Sequence, residues 1–411
     1  MKRNKKEDSL LRAVSKVLSN DNCSGCGACA LISDRISMVL SEEGYLRPEF
    51  ANAPGDVPDT SPAASLFREV CPGVRLRAPS PADRPQHHPS FGSYISVWEA
   101  WACDEDIRFA GSSGGVLTAL GEWLVRSGRI KAAISSAGSP DAPTRTVPVR
   151  IMSRKEFLAS AGSRYAPVSN IQAINDEQGD VVLVGKPCEI SALRRLQQST
   201  GAAAESIPVM LSFFCAGTPS QKATDHLAQT LGTPVDEVAE LRYRGNGWPG
   251  NFAVKDRAGN TESISYDESW GQHLGRTLQW RCKLCPDGVG EDADVAVGDY
   301  WDADKNGYPV FADQEGRSVA IARTKQGHQL LMDAAAAGAV YLRPASLDNV
   351  AAIQPLQVQR RTTLLGRLTG RLLAGKRIPR YSGYGLSRLA GRNVKENLAA
   401  LRGTRSRSLY R

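Results

Sequence analysis

The stretch Val181–Leu196, VVLVGKPCEISALRRL, decides how the rest of the chain is read. Val181 to Gly185 form a short run rich in β-branched residues and closed by a turn signal, the pattern of a buried parallel strand. Gly185-Lys186-Pro187 breaks the strand, and Ile190, Leu193 and Leu196 then recur at helical spacing. Cys188 falls where that helix begins. The free N–H groups and the helix dipole favour a thiolate there, and a thiolate is a nucleophile or a metal ligand. The competing reading is a small buried hydrophobe.

Working outward, Pro208–Phe214 reads as a second buried strand, ending at Cys215-Ala216-Gly217-Thr218. In an open α/β sheet such ends gather on one edge, so Cys188 and Cys215 are expected as neighbours. Arg281-Cys282-Lys283-Leu284-Cys285-Pro286-Asp287 adds a C-x2-C-P before a strand at Asp294–Tyr300. Cys188, Cys215, Cys282 and Cys285 are then four candidate ligands, the number a 4Fe-4S cluster requires. A four-cysteine zinc site stays open.

Near the N-terminus, Cys23-Ser24-Gly25-Cys26-Gly27-Ala28-Cys29 is a C-x2-C-x2-C run whose small residues let the backbone wrap a second cluster. Ferredoxin runs add a fourth Cys followed by Pro, and Cys71-Pro72 supplies that pair at a distance. Cys71 is expected to complete this set, with a zinc knob or chance as the alternatives. Cys103 stands alone and reads as structural.

Gly111-Ser112-Ser113-Gly114-Gly115 opens an apolar helix, Val116 to Val125. Backbone N–H groups at such a start can meet phosphate oxygens, with Ser112, Ser113 and Thr118 adding hydroxyls. A tight strand-to-helix connection explains the loop equally well. Ser163-Arg164-Tyr165-Ala166-Pro167 suits a phosphate and a flat ring, or is an ordinary surface loop. Further strands are expected at Ser93–Ala102, Lys131–Ser136, Thr146–Met152, Ser318–Thr324 and Val340–Arg343, with a small β insertion over 235–266.

The chain has 411 residues, 41% hydrophobic and 23% charged, an ordinary globular composition. The start, MKRNKKEDSL, lacks the apolar core of a signal peptide, and no apolar run is long enough to span a membrane. A cytoplasmic protein is expected, whose nine cysteines serve metal or redox chemistry rather than disulfides. The net charge of +8 is uneven. From Arg360 onward fourteen Lys or Arg face one acid, Glu396, a net of +13, and the remaining 359 residues carry 37 basic and 42 acidic residues, a net of −5. Leu364, Leu365, Leu368, Leu372 and Leu373 line one helical face in this tail, which is expected to pack on its own protein. Four regions follow: 1–50, an arm and ferredoxin-like segment; 51–90, a Pro-rich linker carrying Cys71; 91–345, the core; and 346–411, a basic helical tail.

Taken together, CSGCGAC at Cys23–Cys29, GSSGGVLTAL at Gly111–Leu120, SRYAPV at Ser163–Val168, VGKPCEISALRRL at Val184–Leu196, FFCAGTPS at Phe213–Ser220 and RCKLCPDGVGEDADVAVGD at Arg281–Asp299 resemble one family. It is the coenzyme F-420 hydrogenase/dehydrogenase beta-subunit family, which also includes hydroxymethyl-chlorophyll reductases and cyanobacterial-type divinyl chlorophyllide reductases. The resemblance covers about residues 20–345. It implies an α/β (α+β) fold with a mixed-sheet flavin-binding core and a ferredoxin-like N-terminal segment. It implies FAD and two 4Fe-4S clusters. Ser112, Ser113, Gly114, Gly115 and Thr118 would contact FAD, as would Arg164, Tyr165, Lys186 and Pro187. Cys188, Cys215, Cys282 and Cys285 would hold the cluster nearer the flavin, and Cys23, Cys26, Cys29 and Cys71 the outer one. Lys186 departs from the small or hydroxyl-bearing residue common in the family. Beside a flavin its charge would stabilise the anionic reduced form, the catalytic role assigned to it; it could equally bind phosphate or point away.

The expected function is an FAD-dependent iron–sulfur oxidoreductase exchanging electrons with coenzyme F-420, a related organic substrate or ferredoxin. The alternatives are an electron-transfer subunit without substrate chemistry of its own and a zinc-bound structural or nucleic-acid-binding protein. The favoured reading has no nucleic acid and no integral membrane segment among its partners, and leaves a homo-oligomer open.

Overall fold

The computed structural model describes residues 10–51, 61–80, 84–176, 180–201, 207–304, 307, 310 and 315–409. An eight-stranded mixed sheet organises it. In chain order its strands are β1 (Ser96–Ala102), β2 (Ala132–Gly138), β3 (Thr146–Ile151), β4 (Val181–Gly185), β5 (Val209–Phe213), β6 (Val295–Tyr300), β7 (Arg317–Ala322) and β8 (Val340–Pro344). They lie side by side as β8-β1-β7-β6-β5-β4-β2-β3. The centre, β2-β4-β5-β6, is parallel. Antiparallel β3 closes one edge, and β7, β1 and β8 continue the other in antiparallel register.

Strand alternation sends Val182, Leu211 and Val295 into a core with Leu120 and Trp123 on one face. Val181, Leu183 and Met210 enter a second core on the other face with Ile190 and Leu193. Those last two come from the helix Pro187–Thr200, so strand and helix of the opening stretch pack on each other. Each fully buried Leu or Ile contributes about 1.5–3 kcal/mol to that packing. The helix starts with Pro187 at its first position, and the Glu189 carboxylate turns back to accept the Lys186 N–H at 2.8 Å. Gly201, at φ 67°, ends it.

The β insertion is a three-stranded sheet, Val238–Arg242, Asn251–Asp256 and Thr261–Ser265. The stretch read as a linker differs from expectation. Ser61–Val70 is a helix, and Ala64, Phe67 and Val70 are buried, because its apolar residues recur three apart despite the Pro-rich flanks. Residues 52–60 of that stretch lie outside the described residues. The described part of the tail is mostly helix, with one short strand, Arg380–Ser382, parallel to Arg75–Arg77; Leu364 and Leu368 pack on Leu284, whereas Leu372 and Leu373 stay exposed. Among the described residues no helix is long and apolar enough to cross a membrane.

Candidate functional site: two thiol groups at the sheet edge

Strands β4 and β5 are parallel neighbours, with Gly185 opposite Ser212 and the Ser212 hydroxyl donating to the Gly185 carbonyl at 3.0 Å. Cys188 and Cys215 therefore leave the same edge of the sheet. Gly217, at φ 129°, turns the chain beneath the second pair, and a Cβ there would meet Cys282 Cβ at 3.1 Å. Cys282 Sγ accepts from the Thr218 N–H at 3.3 Å and the Gln279 side-chain amide at 3.4 Å. The Cys285 thiol donates to the Asp287 carbonyl at 3.1 Å. Burial pushes the Cys215 thiol up to about 12; the charges of Cys282 and Cys285 push the same way, and Arg360 opposes them.

Cys188 corrects one expectation. Burial pushes its thiol well above the ordinary value, and the adjacent Lys186 charge offsets only part of this. The thiolate-stabilising helix start loses to desolvation. A buried thiol of this kind is a poor nucleophile at neutral pH, but a metal can replace its proton.

The N-terminal cysteines form the second group. Cys23, Cys26, Cys29 and Cys71 line one apolar cavity with Val14, Met38, Phe67 and Val70. Gly27, at φ 83°, starts the helix Ala28–Ile32 that carries Cys29, and a Cβ on it would lie 2.0 Å from the Ser169 hydroxyl. The helix Ser61–Val70 delivers Cys71, whose N–H bonds the Phe67 carbonyl at 2.8 Å. Burial, then mutual repulsion, raises the thiols of Cys29 and Cys71; Cys26 is raised by burial against an opposing backbone hydrogen bond.

The two groups adjoin. Cys26 is among the charges felt by Cys188. The Gln279 amide that meets Cys282 also donates to the Ser24 carbonyl at 2.9 Å, and its oxygen accepts from Arg47 at 2.9 Å. Arg281 donates to the Pro72 carbonyl at 3.0 Å, and Ser169 to the Cys26 carbonyl at 2.8 Å. Apart from Cys282, three residues on, the partners of Gln279 lie far off in sequence, so nothing local marks its role as a bridge. Cys103 is exposed and belongs to neither group.

Among the described residues no three Cys, His, Asp or Glu side chains converge on one point as a lone metal ion requires. A cubane presents its irons at the corners of a larger body and takes its thiolates further apart. Four soft donors in an apolar pocket, and four more at the sheet edge, fit that group chemically.

The residues expected around FAD are engaged within the chain. The Ser112 hydroxyl meets Ser163 at 2.7 Å, and that of Ser113 donates to the Arg317 carbonyl at 2.6 Å. Gly114 packs so closely that a Cβ would sit 2.6 Å from the Ala100 carbonyl, which accounts for that glycine without a ligand. Thr118 is half-buried in the helix Val116–Arg126. Arg164 donates to Thr146 and to the carbonyls of Leu241, Pro143 and Arg145. Lys186 is buried, paired with Glu189 at 2.9 Å and bonded to the Val168 carbonyl. Burial pulls its pKa down, but the Glu189 carboxylate outweighs this, so Lys186 stays charged. Pro187 is buried at the helix start. Tyr165 joins an aromatic group with Tyr243, Tyr266 and Trp270. Arg244, which the sequence placed only within the β insertion, ties these parts together. It pairs with Asp299 at 2.7 Å, donates to the Ser112 carbonyl, reaches Tyr165 and stacks on Tyr266.

The family that the chain matches defines the class: an oxidoreductase component. The chain belongs to the coenzyme F-420 hydrogenase/dehydrogenase beta-subunit family, whose N-terminal model matches residues 97–175 and whose C-terminal model matches residues 179–347. It is 23% identical over 267 residues to the coenzyme F-420 hydrogenase subunit beta of Methanococcus voltae, covering 63% of this chain and 87% of that protein. It is 25% identical over 270 residues to the corresponding Methanosarcina barkeri subunit, covering 62% and 84%. A coenzyme F-420-dependent sulfite reductase of Methanocaldococcus jannaschii is 22% identical over 335 residues, covering 77% of this chain and 46% of that protein. The fold is similar to a chain of the xenon-derivatised F-420-reducing NiFe hydrogenase complex from Methanosarcina barkeri, with a TM-score of 0.52, 22% identity and coverage of 67% and 92%.

Proposed function

We propose that this chain is an iron–sulfur flavoprotein oxidoreductase that moves electrons between coenzyme F-420, or a related organic substrate, and a partner such as ferredoxin. The observation that supports the reading is the pairing of two four-cysteine groups through Gln279, which donates to both the Ser24 carbonyl and Cys282 Sγ. Cys188, Cys215, Cys282 and Cys285 would hold an inner 4Fe-4S cluster, and Cys23, Cys26, Cys29 and Cys71 an outer one. Such clusters pass single electrons. The chain's own residues set the conditions. Burial keeps the thiols of Cys188 and Cys215 protonated until a metal displaces the proton, Gln279 fixes one group against the other, and apolar packing excludes water around the N-terminal set.

FAD enters from the family resemblance, and when bound it would interconvert hydride and single-electron transfer. Ser112, Tyr165 and Arg244 are the groups we assign to its neighbourhood. Arg164 and Lys186 hold the chain's own carbonyls and act as supports; a catalytic Lys186 would first have to leave Glu189. The relatives named as subunits of a hydrogenase favour a second reading, an electron-transfer subunit that works only with a catalytic partner.

Anaerobic purification followed by iron, sulfide and flavin analysis and an F-420 reduction assay tests the proposal. Near eight irons per chain with bound FAD is the expected result. The Cys188→Ser variant should lose the inner cluster's iron and turnover while keeping the outer cluster. Full activity in that variant, or a colourless zinc-bound protein, refutes it.

A further inference from the structure

The family models end at residue 347, so they do not explain the basic tail. Its position does explain it. The helices Leu364–Leu373 and Val394–Leu409 pack tightly, because Gly366 and Gly370 let the backbones approach: a Cβ on Gly366 would lie 2.2 Å from the Asn397 carbonyl. The tail presents donors to the Cys282–Pro286 loop from three elements, the helix Pro355–Thr362, the helix Leu364–Leu373 and the strand Arg380–Ser382. Arg360 donates to the carbonyls of Cys215 at 2.5 Å and Cys282 at 2.8 Å. Arg367 donates to that of Lys283 at 3.2 Å, the Tyr381 hydroxyl to that of Leu284 at 2.7 Å, and Arg361 to that of Pro286 at 2.7 Å. At the end of the short helix Trp280–Lys283 the Cys282 carbonyl accepts the Cys285 N–H at 3.3 Å and Arg360 as a second donor, while the carbonyls of Lys283 and Leu284 take theirs from Arg367 and Tyr381.

We propose that the tail is a cationic brace for the inner cysteine set, with Arg360 the positioning residue that locks Cys215 to Cys282 and raises the reduction potential of the cluster they hold. The inference rests on the cluster reading above. One planar guanidinium spans the two cysteine carbonyls, which lie 67 positions apart in sequence, so the fork fixes their spacing as a lysine could not. Its fixed positive charge favours the reduced, more negative cluster.

The test uses the full chain, anaerobically reconstituted, with Arg360→Gln and Arg360→Lys variants. EPR-monitored redox titration reads both clusters, and the outer one serves as the internal reference. In Arg360→Gln the inner cluster's reduced-to-oxidised ratio at fixed potential should fall about tenfold, equivalent to about 59 mV for one electron, while the outer cluster is unmoved. Arg360→Lys should restore most of the potential. Unchanged inner potential in Arg360→Gln, or an equal shift in both clusters, overturns the redox part of the proposal. Hydrogen exchange of the metal-free chain tests the brace independently. Amides of residues 282–288 should exchange about tenfold faster in both variants, and unchanged exchange overturns the brace. A parent protein that takes up no iron overturns the cluster reading and with it the redox part, while the exchange experiment still decides the brace.

Discussion

Replacing Arg361 by Met should destabilise the chain strongly, and the size of the loss follows from one buried pair. Arg361 and Glu291 are 3% and 2% exposed and 2.6 Å apart. At an effective dielectric of about 20 their attraction is about 6 kcal/mol, part of which offsets the cost of burying both charges. Removing one partner strands the other, at a typical cost of about 3–5 kcal/mol. Arg323 still faces Glu291 and holds the loss near the lower end, whereas the lost bond to the Pro286 carbonyl adds about 1 kcal/mol. In the parent, burial opposes ionisation of Glu291, but Arg361 and Arg323 overcome it and its pKa lies below the ordinary 4.5. The stability it contributes is therefore complete above about pH 4.5 and is lost as pH falls through that depressed value. In Arg361→Met burial has less opposition and the carboxyl pKa rises. The variant's deficit should shrink between pH 7 and pH 5, as protonation removes the stranded charge. Urea denaturation of the metal-free chain at both pH values measures this, with Glu291→Gln/Arg361→Met expected to recover part of the loss. A deficit within about 1 kcal/mol at pH 7, or one that grows on acidification, refutes the reasoning.

Gln279→Leu removes donors from the Ser24 carbonyl and Cys282 Sγ and should cost roughly 2–4 kcal/mol in urea denaturation, since a buried carbonyl is left without that partner. Gly27→Ala forces a left-handed alanine against the Ser169 hydroxyl and should cost a similar roughly 2–4 kcal/mol, with Ser169→Ala relieving the clash but not the backbone strain. The same denaturation series checks both variants.

Much of the fold was legible because its signals are local. The run Val181–Gly185 is a strand over those residues, and Pro187 begins its helix. The shared edge of Cys188 and Cys215 followed from parallel neighbours alone. Long-range chemistry was not legible. Gln279 reaches across 255 positions to Ser24, and Arg244 across 132 to Ser112. No window of sequence contains both ends of such bonds. Composition misled at Ser61–Val70, where flanking prolines masked a helix. At Cys188 the helix start was visible, but the desolvation that overrides it depends on what packs above.

The order of residues along the chain gives the arginine brace a temporal meaning. Every cysteine of both groups precedes Arg360, so a growing polypeptide exposes all eight thiols before the segment that covers the inner set has emerged. Domains fold as they appear during synthesis, N-terminal parts first. Under the proposed function, cluster loading would have an open interval that closes when the last helices dock, and a chain that completed docking without iron would have to unlatch its own tail to be repaired.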